Sequence, residues 1–419
     1  MSAPARIVIV GNGQAGIQLV DSLRAGGFAG TITVVGEEEH FPYQRPPLSK
    51  DYLAAGGTPG PLPLRARQFF AGARVESLQG VAVTGIDRAN RTVALSDGTV
   101  LGYDKLVLAT GAANRALGVP GAGLGGIFTL RTLAEAEAIR RRLEAVRSAV
   151  VVGAGFIGLE FAAAARARGI PVTVLEYASR PMARALTPVT GAWFANAHRR
   201  MGTVLRLDEG IAGFASDGAG NVEAAVSTSG ETYPADLVLA GVGVVPRTEL
   251  AESAGLAVEN GIAVDGQLRT SDPHIYALGD CASYPSAHAG TRIRLESVQN
   301  ATDQARHAAR SILGTHSPGT PDYAELPWFW SQQGTAKLQI AGLSAPDDRT
   351  VVRGDPGTGR FSVFCYRQGT LAAVESVNQP ADHLAARRLL AGGLPLAPEQ
   401  AADLGFDLKA HSRQAPAAV

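Results

Sequence analysis

Two stretches, "RIVIVGNGQAG" (6–16) and "SAVVVGAGFIG" (148–158), constrain this chain more than anything else in it. Each runs from a short apolar strand through GxGxxG into a helical pattern, and the second begins 142 residues after the first. In such a loop the first glycine makes the tight turn and the second lets backbone approach a pyrophosphate. The third allows the helix to pack closely on the strand, with the phosphates at the positive end of the helix. Gly11, Gly13 and Gly16 fill these places in the first copy; Gly153, Gly155 and Gly158, with Ile157 beside the last, fill them in the second. One GxGxxG is a weak signal, matched by many glycine-rich turns. Here each copy is also followed by a second strand ending in an acid. Glu37 stands 26 residues after Gly11 and Glu176 stands 23 after Gly153, near the roughly 20 expected of a carboxylate that accepts from a ribose 2′-hydroxyl. Two complete units predict an α/β chain that binds two dinucleotides.

A length of 419 residues is enough for two to four domains. The 50 glycines are scattered among Val, Ile and Ala rather than set in low-complexity tracts, as in a folded protein with many tight turns. Lys plus Arg equal Asp plus Glu at 38 each, so no overall charge points to nucleic acid or an anionic membrane as partner. Cys281 and Cys365 lie far apart without a CxxC, which argues against a disulfide framework or a zinc cluster and for two buried thiols. The first strand-like run starts at Arg6 and no apolar run reaches the length of a membrane span. The expectation is a soluble cytoplasmic protein.

Three further apolar strands end in glycine turns: "YDKLVLATGA" (103–112), "YPADLVLAGVGVVP" (233–246) and "DPHIYALGDCAS" (272–283). Fingerprint, ATG, fingerprint, GVGxxP and GD in this order resemble the two-dinucleotide-binding-domain flavoproteins related to the pyridine nucleotide disulfide reductases. The resemblance covers residues 6 to about 318. It implies two Rossmann-like domains, an NAD-binding domain (113–242) inserted in an FAD-binding domain (1–112 and 243–318), followed by a C-terminal α+β domain (319–419). Carried over by motif, Gly11, Gly13, Gly16 and Glu37 match the residues that hold the ADP half of FAD. Thr110, Gly111 and Asp280 match those on the flavin side, and Gly243 belongs to the GVGxxP turn. Asp280 also suits a helix N-cap after Gly279. Arg131 stands where the family often has an arginine near the flavin or the domain seam, and a solvated arginine at a helix start is the alternative.

"FPYQRPPLSKDYL" (41–53) decides between branches. Disulfide-reducing members carry redox cysteines just after the first unit, whereas this chain has no cysteine before Cys281. Without a thiolate, electrons cannot leave by disulfide exchange. The stretch resembles instead the ferredoxin and rubredoxin reductases that feed oxygenases, where prolines wall the flavin and a lysine lies beside its ring. The resemblance gives that place to Lys50, puts Arg45 close to it, and pairs Lys50 with Glu160 of "GFIGLE" to border the nicotinamide. Glu160 has a plainer alternative, an acid favoured by the helix dipole in the first turn. Glu176 predicts NADH over NADPH, because a carboxylate accepts from the free hydroxyl and repels a 2′-phosphate. Arg180 and Arg184 follow at helical spacing, and Arg184 is counted with the cofactor-binding residues.

After about residue 318, "TVVRG", "FSVFCYR" and "TLAAVESVN" read as strands, with a "QG" hairpin turn before the third, and "ADHLAARRLLAGG" as a helix. "ELPWFWSQQG" (325–334) resembles the opening of the C-terminal domain in the oxygenase-coupled reductases, which places Trp330 at the flavin. An acid and an aromatic are commoner in that family where Gln332, Gln333 and Gly334 stand. The resemblance implies hydride transfer from NADH to FAD and single electrons onward to a two-iron two-sulfur ferredoxin serving an oxygenase, from a monomer or weak dimer. Such ferredoxins tend to be acidic, which makes Arg306, Arg310 and Lys337 candidate docking residues. Two alternatives stay open: an NADH-sensing regulatory flavoprotein of the death-associated type, and a rubredoxin or nitrite reductase component.

Overall fold

Runs such as "IVIV" and "AVVV" carry no polar face, which suits strands covered on both sides in a parallel sheet. The computed structural model describes residues 5–54, 60, 62–314 and 321–414. The expected boundary at 318/319 lies outside these residues. The chain divides into two units, one formed by the described residues of 1–44, 61–113 and 245–327, the other by those of 45–60, 114–244 and 328–419.

In the first unit five parallel strands lie in the order Ile275–Ala277, Lys105–Leu108, Arg6–Val10, Thr31–Gly36, Val75–Gln79. Helix Gln14–Ala25 buries Ile17, Leu19, Val20 and Leu23. Each such side chain contributes about 1.5–3 kcal/mol of burial. A second helix, Val298–Leu313, is capped by Ser297, whose hydroxyl accepts from Asn300 N–H.

The second unit repeats the plan with Val204–Arg206, Val172–Leu175, Ala149–Val152, Leu237–Ala240 and Ile127–Phe128, again all parallel. It also holds a five-stranded antiparallel sheet in the order Trp328–Gln333, Ala336–Gly342, Thr370–Val377, Arg360–Arg367, Arg349–Asp355. The last three strands of this sheet in chain order and the helix Pro380–Ala391 lie where the sequence places them. At the predicted hairpin turn both Gln368 and Gly369 have positive φ, 50° and 82°, the conformation of a two-residue turn whose twist matches the strands. Within "ELPWFWSQQG" the segment from Trp328 is a strand paired with Ala336–Gly342, which the sequence pattern does not predict. No helix among the described residues is long and apolar enough to cross a membrane.

Candidate functional site

In the first unit, a Cβ on Gly11 (φ +112°) would lie 2.2 Å from the Ala109 carbonyl oxygen, and one on Gly16 2.1 Å from that of Gly11. A Cβ on Gly13 would meet nothing within 4 Å. Gly13 is the N-cap of helix Gln14–Ala25 and no side chain caps it. The outer glycines are therefore needed by the fold, while the middle one opens a space in front of free helix N–H groups. That space and those donors fit a pyrophosphate. The second unit repeats this. Gly153 has φ +100°, Gly158 would clash with the Gly153 carbonyl oxygen at 2.3 Å, and Gly155, an N-cap without a side-chain cap, has its nearest neighbour at 3.9 Å. Ile157, in the same loop-to-helix junction, is 43% exposed.

The two acids are held differently. Glu37 follows strand Thr31–Gly36 and pairs with the Arg247 guanidinium. The Arg247 carbonyl also accepts from Thr110 Oγ1 at 2.8 Å, and its N–H donates to the Gly111 carbonyl at 3.0 Å. One arginine thus joins Glu37 to the ATG turn. Its only signal in the sequence is its place directly after "GVGVVP". Glu176, after strand Val172–Leu175, accepts from the glycine loop, Ala154 N–H to Oε2 at 2.6 Å, and from the turn that follows it, Ala178 N–H to Oε1 at 2.8 Å. A carboxylate has about four acceptor positions, so room remains for a ribose hydroxyl. The next residue, Tyr177, is 83% exposed.

Asp280 lies in the 3-10 turn Gly279–Cys281, beyond the strand that neighbours Lys105–Leu108. The carboxyl ends of adjacent strands therefore bring Gly11, Thr110, Gly111 and Asp280 to one edge of the first sheet, the usual ligand edge of such sheets. The N-cap alternative for Asp280 fails, since the following α-helix is capped by Ser297. Arg180 and Arg184 fall on turns, not on a helix, so their helical spacing has no structural meaning. Arg180 donates to the Leu186 carbonyl at 2.5 Å. Arg184 is exposed, and its guanidinium would lie 3.7 Å from a Cβ on Gly243 (φ +98°).

The prolines of "RPPLSK" form the 3-10 turn Pro46–Ser49. Proline pre-sets φ for such a turn. Just beyond it, Lys50 Nζ reaches Glu160 Oε2 at 2.6 Å and the Pro46 carbonyl at 3.0 Å. Glu160 is 3% exposed. It also accepts from Ser49 Oγ (2.5 Å) and Ser331 Oγ (2.7 Å), so the desolvation cost of the buried carboxylate is offset by one cation and two hydroxyls. Glu160 is the fifth residue of helix Phe156–Ala167, whose first turn carries no acid. The dipole effect is confined to the end turns, so it does not explain this position. Ser49 and Ser331 escaped the sequence reading, though each directly adjoins a residue it singled out.

Arg45 Nη1 donates to the Arg131 carbonyl at 2.7 Å. Arg131 precedes the capping box of helix Leu133–Arg142, made by Thr132 and Glu135, and its N–H donates to Glu135. Trp330 is half-buried, its ring 5.6 Å from Trp328 and 6.4 Å from Phe329; Phe329 lies 4.5 Å from Phe156 at the start of the second fingerprint helix. Alternation along the strand sends Ser331, not Trp330, to Glu160. Arg306 and Arg310 are exposed at i and i+4 of helix Val298–Leu313, Arg306 pairing with Asp303 at 3.1 Å. Lys337 is exposed on strand Ala336–Gly342 of the second unit. Cys281 and Cys365 are both buried, and burial pushes both thiols up, away from the reactive thiolate.

The family model described as pyridine nucleotide-disulphide oxidoreductase matches residues 5–305, and one described as reductase C-terminal matches 328–412. Rhodocoxin reductase of Rhodococcus erythropolis is 52% identical over 404 residues, 96% of this chain and 93% of that protein. Among solved structures, a ferredoxin reductase from Rhodopseudomonas palustris is 46% identical with a TM-score of 0.94, covering 98% of this chain and 100% of its own. The covalent putidaredoxin reductase–putidaredoxin complex contributes a chain 40% identical with a TM-score of 0.94, covering 99% and 100%. With two glycine cradles of matching geometry and a family match over most of its length, the chain belongs to the pyridine nucleotide-disulphide oxidoreductase family.

Proposed function

We propose that this protein is an FAD-dependent NADH:ferredoxin reductase that passes electrons to a two-iron two-sulfur ferredoxin feeding an oxygenase. One observation carries the proposal: two uncapped glycine cradles stand in a chain whose only two cysteines are buried. Electrons that arrive from a pyridine nucleotide then have no thiol by which to leave. A solved ferredoxin reductase and a reductase joined covalently to putidaredoxin, both alike along nearly the whole chain, support the same reading.

FAD, when bound, supplies the conversion of a hydride's electron pair into single electrons. The protein's part is binding and orientation. Gly11, Gly13, Gly16 and Glu37 hold the ADP half of the FAD, and Thr110, Gly111, Arg45, Arg131, Asp280 and Trp330 serve its flavin side. Gly153, Gly155, Ile157, Gly158, Arg184 and Gly243 line the NADH cradle, where Glu176 accepts from the ribose and disfavours NADPH. Lys50, fixed by Glu160, presents a positive charge held in place, and Glu160 borders the nicotinamide. Fixed charge of this kind stabilises without reorganising during the reaction. Residues 1–112 and 243–318 form the FAD-binding domain, 113–242 the NAD-binding domain and 319–419 the C-terminal domain. The exposed Arg306, Arg310 and Lys337 meet an acidic ferredoxin, and the protein works in the cytoplasm as a monomer or weak dimer.

Anaerobic titration with NADH, followed by stopped-flow mixing with oxidised ferredoxins and rubredoxins, tests the proposal. Fast flavin reduction and fast reoxidation by a two-iron ferredoxin are expected. Flavin reduction that no iron-sulfur protein reverses would overturn it in favour of an NADH-sensing flavoprotein.

A further inference from the structure

The carboxylate of Glu160 ends a longer hydrogen-bonded chain. Gln333, two residues past Ser331 on the same face of strand Trp328–Gln333, is fully buried. Its amide nitrogen donates to Ser331 Oγ at 3.3 Å and lies 3.5 Å from Met182 Sδ. Its amide oxygen lies 2.9 Å from Nε2 of His198, itself fully buried in helix Pro188–Arg200.

The directions of these bonds follow from what each atom can do. Glu160, paired with Lys50, only accepts, so the single hydroxyl hydrogen of Ser331 points to it. Ser331 Oγ must then receive a donor from Gln333, which fixes the amide with its nitrogen toward Ser331 and its oxygen toward His198. An amide oxygen accepts, so His198 carries a proton on Nε2. His198 Nδ1 is buried without a partner among the described residues. A second proton there would be a buried donor lacking an acceptor, which is unfavourable. Burial accordingly pushes the imidazole below its usual range. The helix that carries His198 is pinned at its other end, where the Thr187 N–H and Oγ1 both donate to the buried Glu375 carboxylate at 2.7 Å.

We propose that His198, Gln333 and Ser331 form a one-way chain of donors that positions Glu160, holding Oε1 so that Oε2 faces Lys50. The proposal rests on the role given to Glu160 above. Each donor polarises the next, and all three point at the one carboxylate. They are positioning residues, acting on the nucleotide only through Glu160.

The test uses the FAD-loaded protein and the variants Glu160→Gln, Gln333→Leu, His198→Leu and His198→Gln. Single-turnover flavin reduction is measured across NADH concentrations. Infrared spectra in the absence of NADH follow the carbonyl stretch of a protonated carboxylic acid, assigned by its loss when Glu160→Gln is added. Gln333→Leu and His198→Leu should slow the limiting reduction rate about two- to tenfold, the weight of one net hydrogen bond, with NADH affinity little changed. His198→Gln, which restores an N–H, should recover most of the rate. The infrared band should appear in Gln333→Leu at a pH where the parent shows none. If Glu160→Gln slows reduction but Gln333→Leu neither slows it nor moves the band, the chain is packing only and the proposal falls. If Glu160→Gln itself leaves the rate unchanged, the role of Glu160 falls, and the band alone decides whether the chain holds its carboxylate. Should His198→Leu fail to fold, Gln333→Leu and Ser331→Ala carry both readouts.

Discussion

The two glycine cradles share their loop geometry and part company at the fifth residue of the helix that follows. Counting 142 residues back from Glu160 in the second fingerprint helix reaches Gln18 in the first. Gln18 is half-buried, and its amide donates to Ser22 of its own helix at 3.3 Å. Glu160 is a buried carboxylate tied to Lys50, Ser49 and Ser331. The same architecture thus has one copy with a neutral residue that satisfies itself locally and one with a buried charge whose partners come from distant parts of the chain. A cradle that only holds phosphates has no use for such a charge. In the proposed function that charge is what sets the second helix beside the nicotinamide.

The largest expected effect comes from unbalancing that charge. Lys50→Met leaves the Glu160 carboxylate buried without its cation, a change that costs about 3–5 kcal/mol. The equivalent disturbance in the first cradle, Gln18→Leu, should stay within about 0.5 kcal/mol. Chemical unfolding of both variants checks the contrast. Equal small losses would mean that Lys50 contributes no more than a surface lysine.

Next in size is the acid of the second cradle. Glu176 is fixed by two backbone N–H groups before any ligand arrives, and hydrogen bonds to a charged group are worth about 1.5–3 kcal/mol each. Glu176→Ala should raise the KM for NADH about ten- to a hundredfold and narrow the preference over NADPH, measured by steady-state kinetics with both nucleotides. An unchanged preference would show that Glu176 serves the loop rather than the ribose.

How much of this was legible beforehand follows the range of the interactions. The strands and fingerprint turns could be read because they rest on local patterns, four apolar residues followed by glycines at fixed spacing. The buried thiols could be read because nothing around Cys281 or Cys365 resembled a redox motif. The pairing of Lys50 with Glu160 came through resemblance, since no local pattern links residues 110 apart. The contacts of Ser331, Gln333 and Arg247 stayed hidden for the same reason: each reaches across a long sequence separation, and a serine, glutamine or arginine in a strand or turn is ordinary. Arg180 and Arg184 misled because helical spacing was read into a segment where Met182, at φ +50°, belongs to a turn.

A smaller effect is expected at the surface of the first unit. Arg306 is exposed and pairs with Asp303 of its own helix; in the proposed docking it is a rim charge, and such charges act mainly on association rate. Arg306→Glu should slow ferredoxin reduction severalfold at low ionic strength and hardly at all at high salt, where the screening length falls to a few ångströms, roughly. NADH oxidation with a small dye acceptor should be unaffected. An equal loss with ferredoxin and dye would locate the fault in the fold of helix Val298–Leu313 instead of in docking.

The smallest effect is predicted for Glu37, and it tests the comparison most directly because Glu37 and Glu176 answer to the same sequence rule. The carboxylate of Glu37 is about half exposed and its partner Arg247 more than a third, so their ion pair contributes at most about 1 kcal/mol. Arg247 holds the ATG turn through its backbone, which Glu37→Ala leaves in place. A resident cofactor brings many other contacts and is bound once. A nucleotide exchanged at every turnover gains more from an acceptor already in position, because less ordering is left to pay for on binding. Glu37→Ala should therefore keep its flavin through gel filtration and unfold within about 1 kcal/mol of the parent. If it sheds flavin as readily as Glu176→Ala loses affinity for NADH, the two acids do equal work, and the preorganisation of Glu176 by its own loop has no bearing on which cradle exchanges its ligand.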